Sequence, residues 1–118
     1  MTTLFVQNQS AGWTPRTDVL ETEQGFQLQL DLPGIRQEEL DIQVANGTLT
    51  IRGERKLGAN PDEYHWVERP YGSFSRVFRV PEHVDQPGIR AKLADGVLSL
   101  TLPRREESKP KQIQVQVQ

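Results

Sequence analysis

The chain has 118 residues, 35% of them hydrophobic, with 14 Lys and Arg set against 16 Asp and Glu for a net charge of −2, and it has no cysteine. That length fits one domain with short tails. Near-neutral, interspersed charge excludes bulk attraction to nucleic acid or a membrane surface, and the lack of cysteine excludes a disulfide framework, a thiol nucleophile and a zinc–cysteine centre.

The chain opens on "MTTLFVQNQSAGW", which has no basic region, and no stretch approaches a membrane span. The expected location is therefore cytoplasmic. Residues 1–14 read as an arm with a small apolar cluster, Leu4, Phe5 and Val6, followed by Trp13. Residues 15–102 read as a domain of strands. Gln24-Gly25 is taken as a hairpin tip. "FQLQLDL" then puts Phe26, Leu28, Leu30 and Leu32 on one face and Gln27, Gln29 and Asp31 on the other. This period of two marks a sheet with one buried face. "LPGI" places Pro33 and Gly34 where a type II turn wants them. "LDIQV" repeats the alternation with Leu40, Ile42 and Val44, "ANGT" supplies an Asn-Gly hairpin turn, and "TLTIRG" continues with Leu49 and Ile51.

After Gly53 the pattern breaks into "ERKLGANPDEYHWVERPYG", polar at first and then aromatic. A connection this long is usually functional. It is assigned to residues 54–72, with a strand of its own at Tyr64, His65, Trp66, Val67, Glu68 and Arg69. Alternation resumes in "FSRVFRV", where Arg76 shares a face with Phe74, Phe78 and Val80 while Arg79 points the other way. A guanidinium stays charged, so Arg76 needs several acceptors or a carboxylate there, unless local twist or a bulge exposes it. "VPEHVDQPG" breaks the chain again, "ADGV" supplies an Asp-Gly turn, and "VLSLTL" gives Leu98, Leu100 and Leu102. Seven or eight short strands at regular spacing predict an all-β, antiparallel sandwich.

Residues 103–118 form a C-terminal extension: a polar tether, "PRREESKPKQ", and a terminal alternating segment, "IQVQVQ", with Ile113, Val115 and Val117 on one side. A strand must satisfy its backbone on a partner. It docks on a second copy, docks on its own domain, or stays unpaired. The pockets it fills take either Ile113 with Val115 or Val115 with Val117.

No constellation for catalysis, cofactor or metal emerges. His65 and His83 stand far apart, Glu38-Glu39 and Glu106-Glu107 are adjacent solvated pairs, and there is no Gly-rich phosphate loop. The aromatic residues of the connection could stack on nucleic-acid bases, but no basic stripe accompanies them.

Four segments carry a family resemblance. "AKLADGVL" (residues 91–98) fits the pattern A-x-x-x-n-G-V-L and is followed by "SLTLPR". "DVLETEQGFQLQLDLPGIRQEELDIQVANGTLTIRGER" (residues 18–55) fits an opening D-v-x-E-t-x-x-x-y-x-v-x-x-d-l-P-G and a close L-x-I-x-G-E-R. "VERPYGSFSRVFRVPE" (residues 67–82) fits V-E-R-x-x-G-x-F-x-R-x-F-x-l-P-e, and "IQV" (residues 113–115) fits a terminal I-x-I/V. Together they resemble the small heat shock proteins of bacterial type, the α-crystallin domain chaperones. The arm is shorter than in most members.

The resemblance implies an immunoglobulin-like sandwich and an ATP-independent holdase that keeps partly unfolded clients from aggregating, with no cofactor. It implies that residues 64–69 cross to a partner's sheet and make a dimer. It also implies that the terminal motif lies in a groove of a neighbouring copy, here Leu40, Ile42 and Val44 facing Ile89, Ala91 and Leu93. Arg76 takes the place of a structurally important arginine, and client contact falls to the arm, Leu4, Phe5, Val6 and Trp13. Partners are then further copies of the chain, unfolded clients and, downstream, ATP-dependent chaperones, with no nucleic acid or membrane. A sandwich interaction module, such as a p23-type co-chaperone, is the alternative.

Overall fold

The computed structural model describes the backbone of residues 5–8, all of residues 12–106, and Val115. Among the described residues there are eight strands: β1 (Phe5–Asn8), β2 (Thr17–Thr22), β3 (Gly25–Asp31), β4 (Leu40–Ala45), β5 (Thr48–Arg55), β6 (Gly72–Arg79), β7 (Arg90–Ala94) and β8 (Val97–Pro103). They form two four-stranded antiparallel sheets, ordered β1-β6-β5-β4 and β2-β3-β8-β7. Regular helix among the described residues is limited to three single 3-10 turns, none long and apolar enough to cross a membrane. The predicted all-β, antiparallel immunoglobulin-like sandwich is the architecture found.

The inner faces follow from the alternation. On β3 and β8 the cross-strand pairs Phe26–Leu102, Leu28–Leu100 and Leu30–Leu98 are all buried. Opposite them, β5 and β6 pair Leu49 with Phe78, Ile51 with Arg76, and Gly53 with Phe74. Burying one Leu or Phe side chain is worth about 1.5–3 kcal/mol, so these central strands carry most of the core. Gly53 is needed for packing: a Cβ there would lie 2.7 Å from the Phe74 ring. Asn46 and Gly47 take φ of 52° and 75°, Asp95 and Gly96 take 54° and 76°, as type I′ hairpins require.

Two features depart from the sequence reading, and a third concerns the long connection. The β2–β3 tip is Glu23-Gln24, not Gln24-Gly25; Gly25 already belongs to β3, where its φ of 137° and the Leu102 carbonyl oxygen that a Cβ would strike both call for glycine. Part of the arm is a strand: β1 runs along β6, with Phe5 opposite Arg79 and Asn8 opposite Arg76. Tyr64, His65, Trp66, Val67, Glu68 and Arg69, expected to form a strand that crosses to a partner's sheet, join none of the described ladders of their own chain. Ladder hydrogen bonds need a neighbouring strand, and none of the described strands of the same chain lies beside them.

Candidate functional site

The edge strands define two sides of the sandwich. On one side, β4 ends the first sheet and β7 ends the second. Among the described residues each has one unpaired edge, and half-covered apolar residues lie on or beside each. Leu40, Ile42, Val44, Ile89 and Leu93 all pack against the core while remaining partly open. Between the two strands lies a cleft of about 470 Å³ lined by Leu40, Ile42, Ala91 and Leu93, with Gln37, Lys92 and the core residue Leu98. The cleft thus gathers four of the six residues read as a groove. Val44 and Ile89 are half-buried but are not part of its lining. Ile89 precedes β7, as the closing residue of the 3-10 turn Gln86–Gly88. Leu98 lies in the cleft because β8 runs beside β7, with Leu93 opposite Leu98.

Of the terminal segment, Ile113 and Val117 lie outside the described residues, and Val115 is 85% exposed. The tether begins in a fixed direction. The Arg104 N–H donates to the Gln24 carbonyl, the Arg105 N–H donates to the His83 carbonyl, and Val84 bridges Arg104.

On the far side of the sandwich β1 and β2 are the sheet edges. β2 exposes Val19 and Leu20, the latter 54% open. The long connection between β5 and β6, residues 56–71, is exposed over most of its length, and Trp66 is 77% exposed. Tyr64, Val67 and Tyr71 are exposed as well. A small hollow of about 110 Å³ runs under these aromatic rings, between Arg55 and Arg69. Scattered single apolar residues on a surface are ordinary; several gathered on one loop mark a contact surface.

Arg76 is 8% exposed, between Phe74 and Phe78 on β6. Its Nη1 donates to the Pro15 carbonyl at 2.8 Å and to Thr17 Oγ1 at 3.1 Å. Its guanidinium also lies 5.5 Å from the centre of the Phe78 ring. Burial pushes its pKa below the ordinary arginine value. Both acceptors are neutral, and they belong to the segment leading into β2. Arg76 therefore ties one sheet to the start of the other. Arg79 is exposed.

A second buried arginine escaped the sequence reading. Arg55, also 8% exposed, closes β5 and pairs with Gly72 across the mouth of the long connection. Its Nη1 donates to the Pro70 carbonyl at 3.0 Å, and its Nη2 donates to the Pro33 carbonyl. Its guanidinium stacks 4.8 Å from the Trp13 ring centre, close enough for a cation–π attraction. Burial, and then the charge of Arg69, push its pKa below the usual arginine value. The signal was available: Leu49, Ile51 and Gly53 are inward on β5, and the next inward position is Arg55. Trp13, read as part of the arm, is half-buried on the domain. Its ring meets Phe74 edge-on at 5.2 Å, and its Nε1 donates to the Gly72 carbonyl at 2.9 Å. Leu4 lies outside the described residues, and Phe5 and Val6 fall on β1. Among the described residues no group of three or more His, Cys, Asp or Glu is placed to hold a metal ion.

Residues 18–118 match the Hsp20/alpha crystallin family. The chain belongs to that family. It is similar to small heat shock protein C2 of Rickettsia felis, 41% identical over 103 residues that cover 86% of this chain and 67% of the relative. Small heat shock protein C4 of the same organism is 38% identical over 104 residues, covering 86% and 64%. The chain thus spans about two thirds of the length of these relatives. Among solved structures, a small heat-shock protein from Xylella fastidiosa, whose crystal structure has a distinct high order structure, superposes with a TM-score of 0.77 at 40% identity, covering 91% of this chain and all of that one. The hspA of Xanthomonas axonopodis gives 0.72 at 41% identity, covering 80% and 97%. The sequence is that of a small heat shock protein of bacterial type, and its sandwich is the α-crystallin domain.

Proposed function

We propose that this small heat shock protein is an ATP-independent holdase of the cytoplasm, without enzymatic activity or cofactor, that binds partly unfolded proteins under stress and prevents their aggregation. Clients held in this way pass to ATP-dependent chaperones. The observation that carries the reading is the cleft between β4 and β7, with Leu40, Ile42 and Leu93 in its walls and two strand edges left unpaired among the described residues, together with the alternating I-x-V segment of residues 113–118. An edge of this kind recruits an extended peptide through its backbone and gives each alternate side chain a pocket.

In this reading residues 1–14 are an arm that contacts clients, residues 15–102 are the domain, and residues 103–118 are an extension that links copies. Ile113 and Val115 fill the cleft of a neighbouring copy, with Val115 and Val117 as the second register. Two aliphatic side chains give roughly 3–6 kcal/mol gross, much of it offset by ordering the tail and by association. One such contact is weak and exchangeable, and several together add by avidity. Residues 64–69 reach a second copy and add to its β2 edge, covering Trp66 and Val67 on one side and Val19 and Leu20 on the other. This explains why apolar side chains are exposed on both.

The test is light scattering of a heated client such as citrate synthase with the intact protein and no nucleotide. Suppression near equimolar ratio is expected. Unchanged aggregation at excess protein, across several clients, removes the holdase reading and leaves a sandwich that serves as an interaction module.

A further inference from the structure

The mouth of the long connection is closed by two side chains, one from the end of β5 and one from the N-terminal arm. Arg55 reaches across it to the Pro70 carbonyl, and Trp13 reaches down from the arm to the Gly72 carbonyl. The two are stacked on each other at 4.8 Å, and Trp13 also rests on Phe74 beneath. Arg55 is anchored a second time, through the Pro33 carbonyl in the turn that follows β3. Each contact helps to define the next. Without Trp13, Arg55 loses the aromatic face against which its charge is held, and the Gly72 carbonyl loses a donor. Without Arg55, the Pro70 carbonyl is free and Trp13 loses its cover. Gly72 itself sits at φ 100°, where a side chain would be strained, so the chain turns sharply at the point that is clamped. A cleft of about 190 Å³ runs beside the stack, between Trp13, Thr14, Arg16 and Asp31 on one hand and Pro33 and Pro70 on the other.

We infer that Trp13 and Arg55 form a latch that couples the N-terminal arm to the return end of the 56–71 connection. With Trp13 seated, residues 69–72 leave the sandwich in one direction. When an apolar segment of an unfolded polypeptide draws the arm away, the return end loosens. Coupling of this kind is reciprocal, so a connection held by a second copy keeps Trp13 seated. The consequence for assembly rests on the proposed dimer through residues 64–69; the latch itself does not. Arg55 is here a positioning residue, acting on the connection through Pro70 and on the arm through Trp13.

The test uses the intact chain with Trp13→Phe, Arg55→Met and the double variant. Phenylalanine keeps a ring on Phe74 but cannot donate to Gly72; methionine keeps apolar length but not the charge. Cleavage by a glutamate-specific protease is followed at Glu68, beside the latch, and at Glu23, on the β2–β3 tip, which reports general loosening. Each single variant is expected to speed cleavage at Glu68 about tenfold, the scale of one lost hydrogen bond to a charged or well-placed donor, with Glu23 unchanged. The double variant should be no faster than the faster single one, because the two residues form one device. Equal acceleration at both sites, no acceleration at Glu68, or fully multiplicative effects would overturn the latch. Subunit exchange between two fluorescently labelled populations separates the two claims. Faster exchange in the same variants supports the whole inference. Faster cleavage at Glu68 with unchanged exchange keeps the latch and overturns the dimer through residues 64–69.

Discussion

The β5–β6 hairpin and the connection that joins its two strands use similar residues to opposite ends. In the hairpin Leu49, Ile51, Phe74 and Phe78 are buried. In the connection Tyr64, Trp66, Val67 and Tyr71 are exposed. The hairpin alternates, so every second residue meets the facing sheet. The connection has Pro61 and Pro70 on either side of its aromatic stretch, and it pairs with none of the described strands of its own chain. The difference teaches that hydrophobic content does not locate a core; periodicity and a partner do. It also divides the molecule into a body that holds the fold and a periphery whose apolar groups stay exposed.

The sharpest way to break that division is from within. Phe78→Ala on β6 should destabilise the sandwich by about 3–5 kcal/mol, the usual cost of emptying an aromatic core site, read from denaturant unfolding at fixed protein concentration. A loss under roughly 1 kcal/mol would mean that the body is not where the stability lies. Next in size is Arg76→Gly. It removes the guanidinium donor to the Pro15 carbonyl and Thr17 Oγ1, leaving the carbonyl only the Thr17 hydroxyl, at about 1–3 kcal/mol, and puts glycine inside a strand. Arg79→Ala removes the same charge from the exposed face and should cost no more than roughly 0.5 kcal/mol. Equal melting temperatures for the two variants would contradict the burial of Arg76. The smallest effect on the fold belongs to the tail. Ile113→Ala with Val115→Ala should leave unfolding of the sandwich unchanged, while native mass falls toward the dimer. An unchanged native mass would remove the cleft between β4 and β7 as the tail's docking place.

The legibility of these features in the sequence followed the same physics. Strands β3, β5, β6 and β8 were readable because burial of one face writes a period of two into the side chains. Strand β2 was not, since "TDVLET" places Val19 and Leu20 side by side on an edge with no alternation. β1 read as an arm because four residues on an edge leave too short a pattern. Arg76 was found by asking which charged residue sat in register with apolar ones. Arg55 satisfies the same question, but it stands at the end of its strand, where the turn of sequence toward polar residues hid the pattern. Trp13 shows the converse. Nothing local marks it as docked, because its partners Gly72, Phe74 and Arg55 lie far along the chain. Four of the groove residues converge on one cleft because β4 and β7 are both edges on the same side, a fact of topology that alternation alone does not carry.

The most direct test of the division between body and periphery is replacement of residues 60–70 with a short Gly-Ser turn, followed by native mass and circular dichroism on the same sample. The account predicts a monomer with the β-sheet spectrum of the parent, because no core side chain is removed and only the exposed contact surface is lost. A stable dimer with that spectrum, or a chain that no longer folds, would contradict it.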